Sequence, residues 1–200
     1  MKLFFSPGTC ALSPHIVLEE LGLPYEAIKV DLGQKVTAEG ADYRLINPKG
    51  YVPALQAGDE VLTEGPAIVQ FLADKAPERG LAPAPGTLER YRLVEWLNFV
   101  STEIHKQFST LFNRDAPETF KEVIKQKLQG RFAYLNDHFA RKDFLMGTSF
   151  SVADAYLYTV LRWTKRFNMS LDAVPALAAY VERIAARPAV KAALAAEGLT

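Results

Sequence analysis

A segment rich in proline and glycine divides the chain into two parts with different hydrophobic patterns. The segment covers residues 77–86 and contains three prolines and two glycines, which interrupt helices and strands. Before it, short runs typical of strands alternate with helical periodicity. After it, apolar residues recur every three or four positions and strand patterns disappear. The sequence therefore predicts an α/β domain over residues 1–76, a linker over 77–86 and an all-helical domain over 87–200.

The first part predicts the element order β-α-β, an irregular stretch, and then β-β-α. Gly22 ends the first predicted helix, and Ala57-Gly58-Asp59 predicts a hairpin-type turn between the last two strands. This order indicates a mixed sheet packed against helices. The predicted strands cover residues 2–5, 25–30, 54–56 and 60–62, and the predicted helices cover 11–21, 66–76, 87–113, 117–140, 151–167, 173–185 and 188–196.

Composition excludes several classes of function. The chain carries 23 basic and 23 acidic residues, so it has no basic excess to neutralise phosphates, and nucleic acid is not expected as its main partner. One cysteine excludes a disulfide framework and suits a reducing compartment. No apolar run is long enough for a membrane span or a signal peptide, so we expect a soluble cytoplasmic protein.

Cys10 lies between the first predicted strand and the first predicted helix. A thiol at a helix N-terminus is close to the positive end of the helix dipole and to unpaired backbone N–H groups, which favour the nucleophilic thiolate. The alternative is a small apolar side chain packed under a turn. Because the chain has no second cysteine, an oxidised Cys10 would need a thiol from another molecule. His15 and His138 have no predicted partners and are interpreted as surface or packing residues.

Two further segments of the N-terminal part could bind an extended ligand. A cis bond at Val52-Pro53 would turn the Val52 backbone outward, although an ordinary trans proline at a strand start is favoured for this dipeptide taken alone. Glu64 and Gly65 precede Pro66 at a predicted helix start, where free N–H groups bind carboxylates and an acidic side chain could pair with an ammonium. The alternative is a plain N-cap with an acidic first turn.

A polar stripe follows one side of the long helix predicted over residues 87–113. Its members are Asn98, Thr102, His105 and Lys106, at spacings that place them together on a regular helix. His105 could donate a hydrogen bond to a thiolate or polarise an electrophile. The alternative is an ordinary solvated face. No histidine has the spacing of a metal ligand.

The second part also contains a folding signal and candidate pocket residues. Ser151-Val-Ala-Asp154 predicts a capping box, in which Asp154 accepts a hydrogen bond from the Ser151 amide, and this motif is interpreted as structural. Phe112 and Trp163 are interpreted as lining an apolar or aromatic pocket.

Together these motifs resemble those of a cytosolic glutathione S-transferase. The resemblance rests on Val-Pro before the third strand, the Thr-Glu-Gly helix start, the proline-rich linker and the Ser-Val-Ala-Asp box. Cys10 within Ser-Pro-Gly-Thr-Cys, His105-Lys106 and the ending Arg-Pro-Ala-Val-Lys-Ala-Ala-Leu-Ala-Ala-Glu-Gly-Leu are similar to the bacterial beta class in particular. The resemblance covers the whole chain.

The resemblance implies a thioredoxin-like N-terminal domain, an all-α C-terminal domain and glutathione as co-substrate, without a metal. It implies that Val52-Pro53 is cis and that Val52 pairs with the cysteinyl backbone of glutathione. Glu64 and Gly65 would hold the γ-glutamyl end of glutathione, and Lys35 would hold its glycine carboxylate. Cys10 and His105 would act at the sulfur of glutathione, with Lys106 close by. Asn98 and Thr102 would act on the site of the partner subunit in a homodimer. Two residues depart from the wider superfamily: Gly65 replaces its usual serine, and Phe5 excludes activation by a tyrosine at that position.

The implied activity is detoxification, in which glutathione is conjugated to apolar electrophiles. Phe112 and Trp163 would line the pocket that binds these electrophiles. A second implied activity is thiol-disulfide exchange, in which Cys10 forms a mixed disulfide with glutathione and another glutathione releases it. The alternative is a non-catalytic ligand carrier or interaction module with the same fold.

Overall fold

The N-terminal strands form one five-stranded mixed sheet in the computed structural model, which describes residues 1–199. The strand order is β3-β2-β1-β4-β5; β1 pairs with β2 in parallel and with β4 in antiparallel orientation. The strands are β1 (Lys2–Phe5), β2 (Glu26–Asp31), β3 (Val36–Thr37), β4 (Ala54–Ala57) and β5 (Glu60–Thr63). The predicted mixed sheet is confirmed, and the short β3 was missed.

Two helices of this part pack against the sheet and against each other. These are α1 (Leu12–Leu21) and α2 (Gly65–Lys75), and α2 also contacts β4 and β5. Ile16, Leu55 and Leu72 are fully buried, and burial of each such side chain contributes about 1.5–3 kcal/mol. The order of elements along the chain thus places the end of β1, the start of α1, the start of β4 and the start of α2 in one unit.

The C-terminal helix belongs to this unit, which corrects the predicted boundary of the helical domain. By packing, the first unit comprises residues 1–80 together with 186–199, and the second comprises 81–185. Helix α9 (Pro188–Ala196) packs against α1, with Val190 and Ala193 fully buried. A helical pattern shows which face of a helix is apolar, but it does not show which element covers that face.

The second unit is all-helical, as predicted. Its helices are α3 (Leu88–Phe99), α4 (Lys106–Phe112), α5 (Glu118–Phe139), α6 (Val152–Leu161), α7 (Trp163–Arg166) and α8 (Pro175–Ala185). Every residue of α6 is buried, as in a helix at the centre of a core. The capping box at Ser151 and Asp154 is confirmed. Within residues 1–199, no helix is long and apolar enough to cross a membrane.

The long helix predicted over residues 87–113 contains a π-helical segment at Val100–His105, between α3 and α4. A π-helix makes a wider turn than an α-helix and rotates the residues that follow it. Asn98, Thr102 and Lys106 are exposed, whereas His105 is half-buried. The four polar residues therefore do not share one solvated face, because the regular helix assumed for the stripe is interrupted.

Candidate functional site

Cys10 lies in the turn between β1 and α1, directly against the segment before β4. The turn is closed by the Thr9 hydroxyl, which donates to the Ser6 carbonyl over 2.7 Å. The Cys10 carbonyl accepts a hydrogen bond from Ser13 N–H, so the backbone of Cys10 is already part of the first turn leading into α1. Its thiol donates to the Val52 carbonyl, with 3.3 Å between Sγ and the oxygen. Two predicted site residues are thereby brought into contact.

The electrostatic setting of Cys10 opposes the thiolate that the helix N-terminus favours. Burial of the sulfur raises the pKa of Cys10 from its ordinary 9.0 to about 12, and the negative charge of Glu64 adds to this rise. A hydrogen bond from the backbone lowers the pKa, but by less. The N-terminus of α1 favours the thiolate as expected, yet desolvation has the larger effect on the pKa of Cys10. Cys10 is therefore a neutral thiol at physiological pH.

Val52-Pro53 is a cis peptide bond, as the family resemblance implied and against the trans default for the dipeptide alone. Val52 is buried, and the preceding carbonyl, that of Tyr51, accepts hydrogen bonds from Asn47 Nδ2 at 2.7 Å and from the Tyr43 hydroxyl at 2.8 Å. The segment that leads to β4 is thus held in place by two side chains from the preceding turn.

Helix α2 begins with one amide available to a ligand. Glu64 precedes the helix with φ 69° and ψ 114°, and its carbonyl accepts from Ala67 N–H and Ile68 N–H. Such a φ is uncommon for a residue with a side chain and recurs at binding sites. Pro66 has no N–H, so the Gly65 amide is the first-turn donor left over. A Cβ on Gly65 would lie 3.8 Å from Ser13 Oγ, an ordinary contact, so serine would fit there.

Lys35 is placed by the same turn that positions Val52. Its backbone has φ 59°, and its Nζ donates to the Gly50 carbonyl over 2.9 Å. The Nζ also lies 5.7 Å from the centre of the Tyr51 ring. The first unit thus brings Lys35 to the segment before β4.

Lys49 was missed by the sequence analysis. Its Nζ lies 2.5 Å from Glu64 Oε1 and 3.0 Å from Thr63 Oγ1, so it already pairs with the carboxylate that was predicted to bind an ammonium. The two partners are fifteen residues apart in the sequence, and no local pattern connects them.

In the second unit, His105 contacts residues from α6 and α7. Its Nδ1 lies 2.5 Å from the Tyr156 hydroxyl, and its ring centre lies 5.1 Å from that of Trp163. Trp163 in turn contacts Phe112 edge-on, with ring centres 5.2 Å apart. The two predicted pocket residues are therefore in contact, with His105 beside them. Tyr156 is the hydrogen-bond partner of His105, and no local sequence pattern connects the two residues.

His15 is a structural partner of the Cys10 turn, which corrects its interpretation as a residue without a partner. It is fully buried, and its Nδ1 lies 3.0 Å from Glu197 Oε1. The other carboxylate oxygen of Glu197 accepts from Gly8 N–H, also at 3.0 Å. Gly8 is two residues before Cys10, so one carboxylate beyond α9 holds both α1 and the turn that carries the thiol.

His138 also has partners. Its Nε2 lies 3.1 Å from the Phe144 carbonyl, and its ring centre lies 4.9 Å from that of Trp96. Burial lowers the pKa of His138, and the nearby positive charges of Lys142 and Arg141 lower it further despite the hydrogen bond. His138 and Trp96 line a cleft of about 490 Å³ whose lining includes neither Phe112 nor Trp163.

We expect Glu197→Gln to destabilise the protein by about 1–2 kcal/mol, because the amide that replaces one oxygen cannot accept from its buried donor. It should also loosen the turn and increase the rate at which a thiol reagent modifies Cys10. Urea unfolding followed by circular dichroism and alkylation followed by mass spectrometry measure the two effects. Glu39→Gln, at an exposed position of the same unit, is the matched control. An unchanged alkylation rate would show that Glu197 does not hold the turn.

The chain matches two family models and is similar to relatives that span its whole length. Residues 8–75 match the glutathione S-transferase N-terminal domain, and residues 99–188 match the C-terminal domain. Glutathione S-transferase GstA of Escherichia coli O157:H7 is 44% identical over 200 residues, covering 100% of both chains.

Two solved structures extend this similarity to the fold. The sphingomonad glutathione S-transferase complexed with glutathione is 47% identical with a TM-score of 0.96, and covers 100% of both chains. The bacterial beta class glutathione S-transferase of Sphingomonas chungbukensis is 44% identical with a TM-score of 0.97, again over 100% of both chains. The predicted fold class is thereby confirmed. The chain is an enzyme of the glutathione S-transferase family and a member of its bacterial beta class.

Proposed function

We propose that this transferase conjugates the sulfur of glutathione to apolar electrophiles and that Cys10 assists as a hydrogen-bond donor. The observation that carries the proposal is the neutral Cys10 thiol in contact with the Val52 carbonyl. A neutral thiol can turn its S–H from that carbonyl to the sulfur of a bound glutathione and stabilise it as thiolate. The glutathione thiol gives its proton to water, its thiolate forms a bond to carbon of the electrophile, and a leaving group such as chloride departs with the electron pair of the broken bond.

The remaining ligand contacts follow from the placement of backbone and charged groups. Val52 would pair with the cysteinyl backbone, the Gly65 amide and Glu64 would take the γ-glutamyl carboxylate and ammonium, and Lys35 would take the glycine carboxylate. The unpaired Gly65 amide and the position of Lys35 beside the segment before β4 support these roles. The sphingomonad relative was solved with glutathione bound, which supports the same ligand for this chain.

The second unit would supply the electrophile pocket and further contacts to glutathione. Phe112 is 40% exposed and packs on Trp163, so the pair offers an aromatic surface to an apolar electrophile. His105 and Lys106 are proposed ligands of glutathione, with His105 assisting at its sulfur. In a homodimer, the exposed Asn98 and Thr102 would act on the site of the partner subunit.

Thiol-disulfide exchange is proposed as a second, slower activity. A Cys10 thiolate would attack a disulfide and release one thiolate, leaving a mixed disulfide on Cys10. A glutathione thiolate would then attack that bond, regenerate Cys10 and form a second disulfide with the group that it removes. The single cysteine fits this scheme because glutathione supplies the resolving thiol. The raised pKa of Cys10 slows the first step, so we place conjugation first.

Cys10→Ala separates the two activities. We expect conjugation of glutathione to 1-chloro-2,4-dinitrobenzene to fall only about fivefold, the effect of one hydrogen bond. Reduction of hydroxyethyl disulfide should be lost, because its covalent intermediate cannot form. Retained disulfide reduction would contradict the role of Cys10 in exchange. Absence of both activities in the wild-type protein would instead favour the non-catalytic carrier.

A further inference from the structure

We propose that Lys49 competes with the ammonium of the ligand for Glu64 and thereby determines how strongly the site prefers ligands that carry an ammonium. The inference rests on the proposed function, in which Glu64 receives the γ-glutamyl ammonium. Lys49 belongs to no sequence motif and approaches Glu64 from the turn before β4.

The contacts of Lys49 are those expected of an amino-acid ammonium. Its Nζ lies 2.5 Å from Glu64 Oε1 and 3.0 Å from Thr63 Oγ1. A primary ammonium has three donors, and two of them are used here, one toward a carboxylate and one toward a hydroxyl. The γ-glutamyl ammonium has the same charge and the same donors. Lys49 and the ligand therefore present the same chemical group to one carboxylate.

The backbone on both sides of the ion pair is fixed, which distinguishes it from a pair between freely moving surface side chains. Asn47 is buried, and its Oδ1 accepts from Lys49 N–H at 3.2 Å. Gly50 N–H donates to the Asn47 carbonyl over 2.8 Å and closes the turn. Glu64 is held by the two amides of α2 that donate to its carbonyl. The turn thus directs Lys49 toward Glu64 before any ligand arrives.

Competition follows from the charge balance at Glu64. Lys49 Nζ already neutralises Glu64 and would repel a second ammonium at the same carboxylate, so the net gain of a ligand ammonium from Glu64 is reduced. A ligand without an ammonium leaves the ion pair in place and loses nothing. Lys49 therefore weakens the preference of the site for an ammonium. Both side chains are more than half exposed, at 52% for Lys49 and 68% for Glu64, so the expected effect is that of a solvent-screened pair.

The test compares two ligands on Lys49→Met, which keeps most of the length of the side chain and removes the charge. The ligands are glutathione and its deaminated analogue, glutaryl-cysteinylglycine, and calorimetry measures both dissociation constants. We expect glutathione to bind the variant about two- to fivefold more tightly than the wild type, the range of a surface ion pair. The analogue should bind both proteins equally. Lys29→Met, an exposed lysine on β2, is the control and should change neither constant.

Each other outcome has a distinct meaning. Weaker binding of glutathione by Lys49→Met would overturn the inference, because Lys49 would then contact the ligand. An equal gain for both ligands would also overturn it, because the lysine would then act without reference to the ammonium. Circular dichroism of the variant checks that it is folded. If the wild type bound no glutathione, the proposed function would fail together with this inference, a result separate from the first two.

Discussion

We expect Cys10 to react with iodoacetamide about fiftyfold more slowly at neutral pH than an unperturbed thiol. Its pKa of about 12, against an ordinary 9.0, lowers the thiolate fraction about a thousandfold. A more basic thiolate is also a better nucleophile, and over three pKa units this recovers roughly twentyfold. The remaining difference is the predicted effect. Because Cys10 is the only cysteine, mass spectrometry of the intact protein reports on this site alone.

The dependence on pH gives the sharper test. The rate should rise about tenfold per pH unit from pH 8 to 11 without a plateau, since the thiol stays protonated throughout this range. Free N-acetylcysteine is the control for the reagent, and the protein unfolded in urea is the control for the sequence. Both should level off above about pH 10, one unit above the ordinary pKa of 9.0. A plateau of the folded protein below pH 9 would show that the dipole at α1 exceeds the effect of burial.

The pKa of Cys10 depends on residues that local sequence patterns do not bring into view. The position before a helix was evident from the Pro-Gly turn and the apolar periodicity of α1. The helix dipole that favours a thiolate comes from α1, which follows Cys10 directly in the sequence. The carbonyl that the thiol contacts belongs to Val52, which is 42 residues away, and the charge of Glu64 comes from farther still. The sequence therefore places the thiol but not its protonation state.

The secondary structure was largely predictable because its signals are local. The β4–β5 hairpin follows from its turn, and α2 from proline in its first turn. Strand β3 was missed because Val36 and Thr37 are too few to show alternation. The π segment at Val100–His105 was missed because the spacing of apolar residues continues through it. A local change of helix type leaves no break in such a pattern.

Local motifs and the resemblance together supplied the candidate site residues, whereas their partners required the structure. Lys49, Tyr156 and Glu197 each pair with a predicted or neighbouring residue across 15, 51 and 182 positions of sequence. Short motifs identify the residues that bear the chemistry. Only tertiary packing brings in the residues that orient those groups, neutralise their charge or compete with a ligand for them.

Asp154 holds together more of the second unit than a helix cap alone would. Its Oδ2 accepts from the Ser151 amide at 2.9 Å, as the capping box requires, and also from the Ser151 hydroxyl at 2.8 Å. Its Oδ1 accepts from Leu145 N–H at 2.9 Å and from the Tyr180 hydroxyl at 3.2 Å. Four donors from three segments thus converge on one fully buried carboxyl. The sequence predicted the first of these contacts only.

We expect Asp154→Ala to lower the free energy of unfolding by about 4 kcal/mol, because it leaves several buried donors without an acceptor. The melting temperature should fall by roughly 10 °C in a chain of this size. Trp96 and Trp163 both lie in the second unit, so their fluorescence during urea unfolding reports on it directly. Asp137→Ala, at an exposed position of α5, should change stability by less than about 0.5 kcal/mol. A loss below 1 kcal/mol for Asp154→Ala would mean that water replaces the carboxylate for all four donors. Full burial of both Asp154 and Tyr180 opposes that result, because at that depth a donor that loses its acceptor has no solvent to turn to.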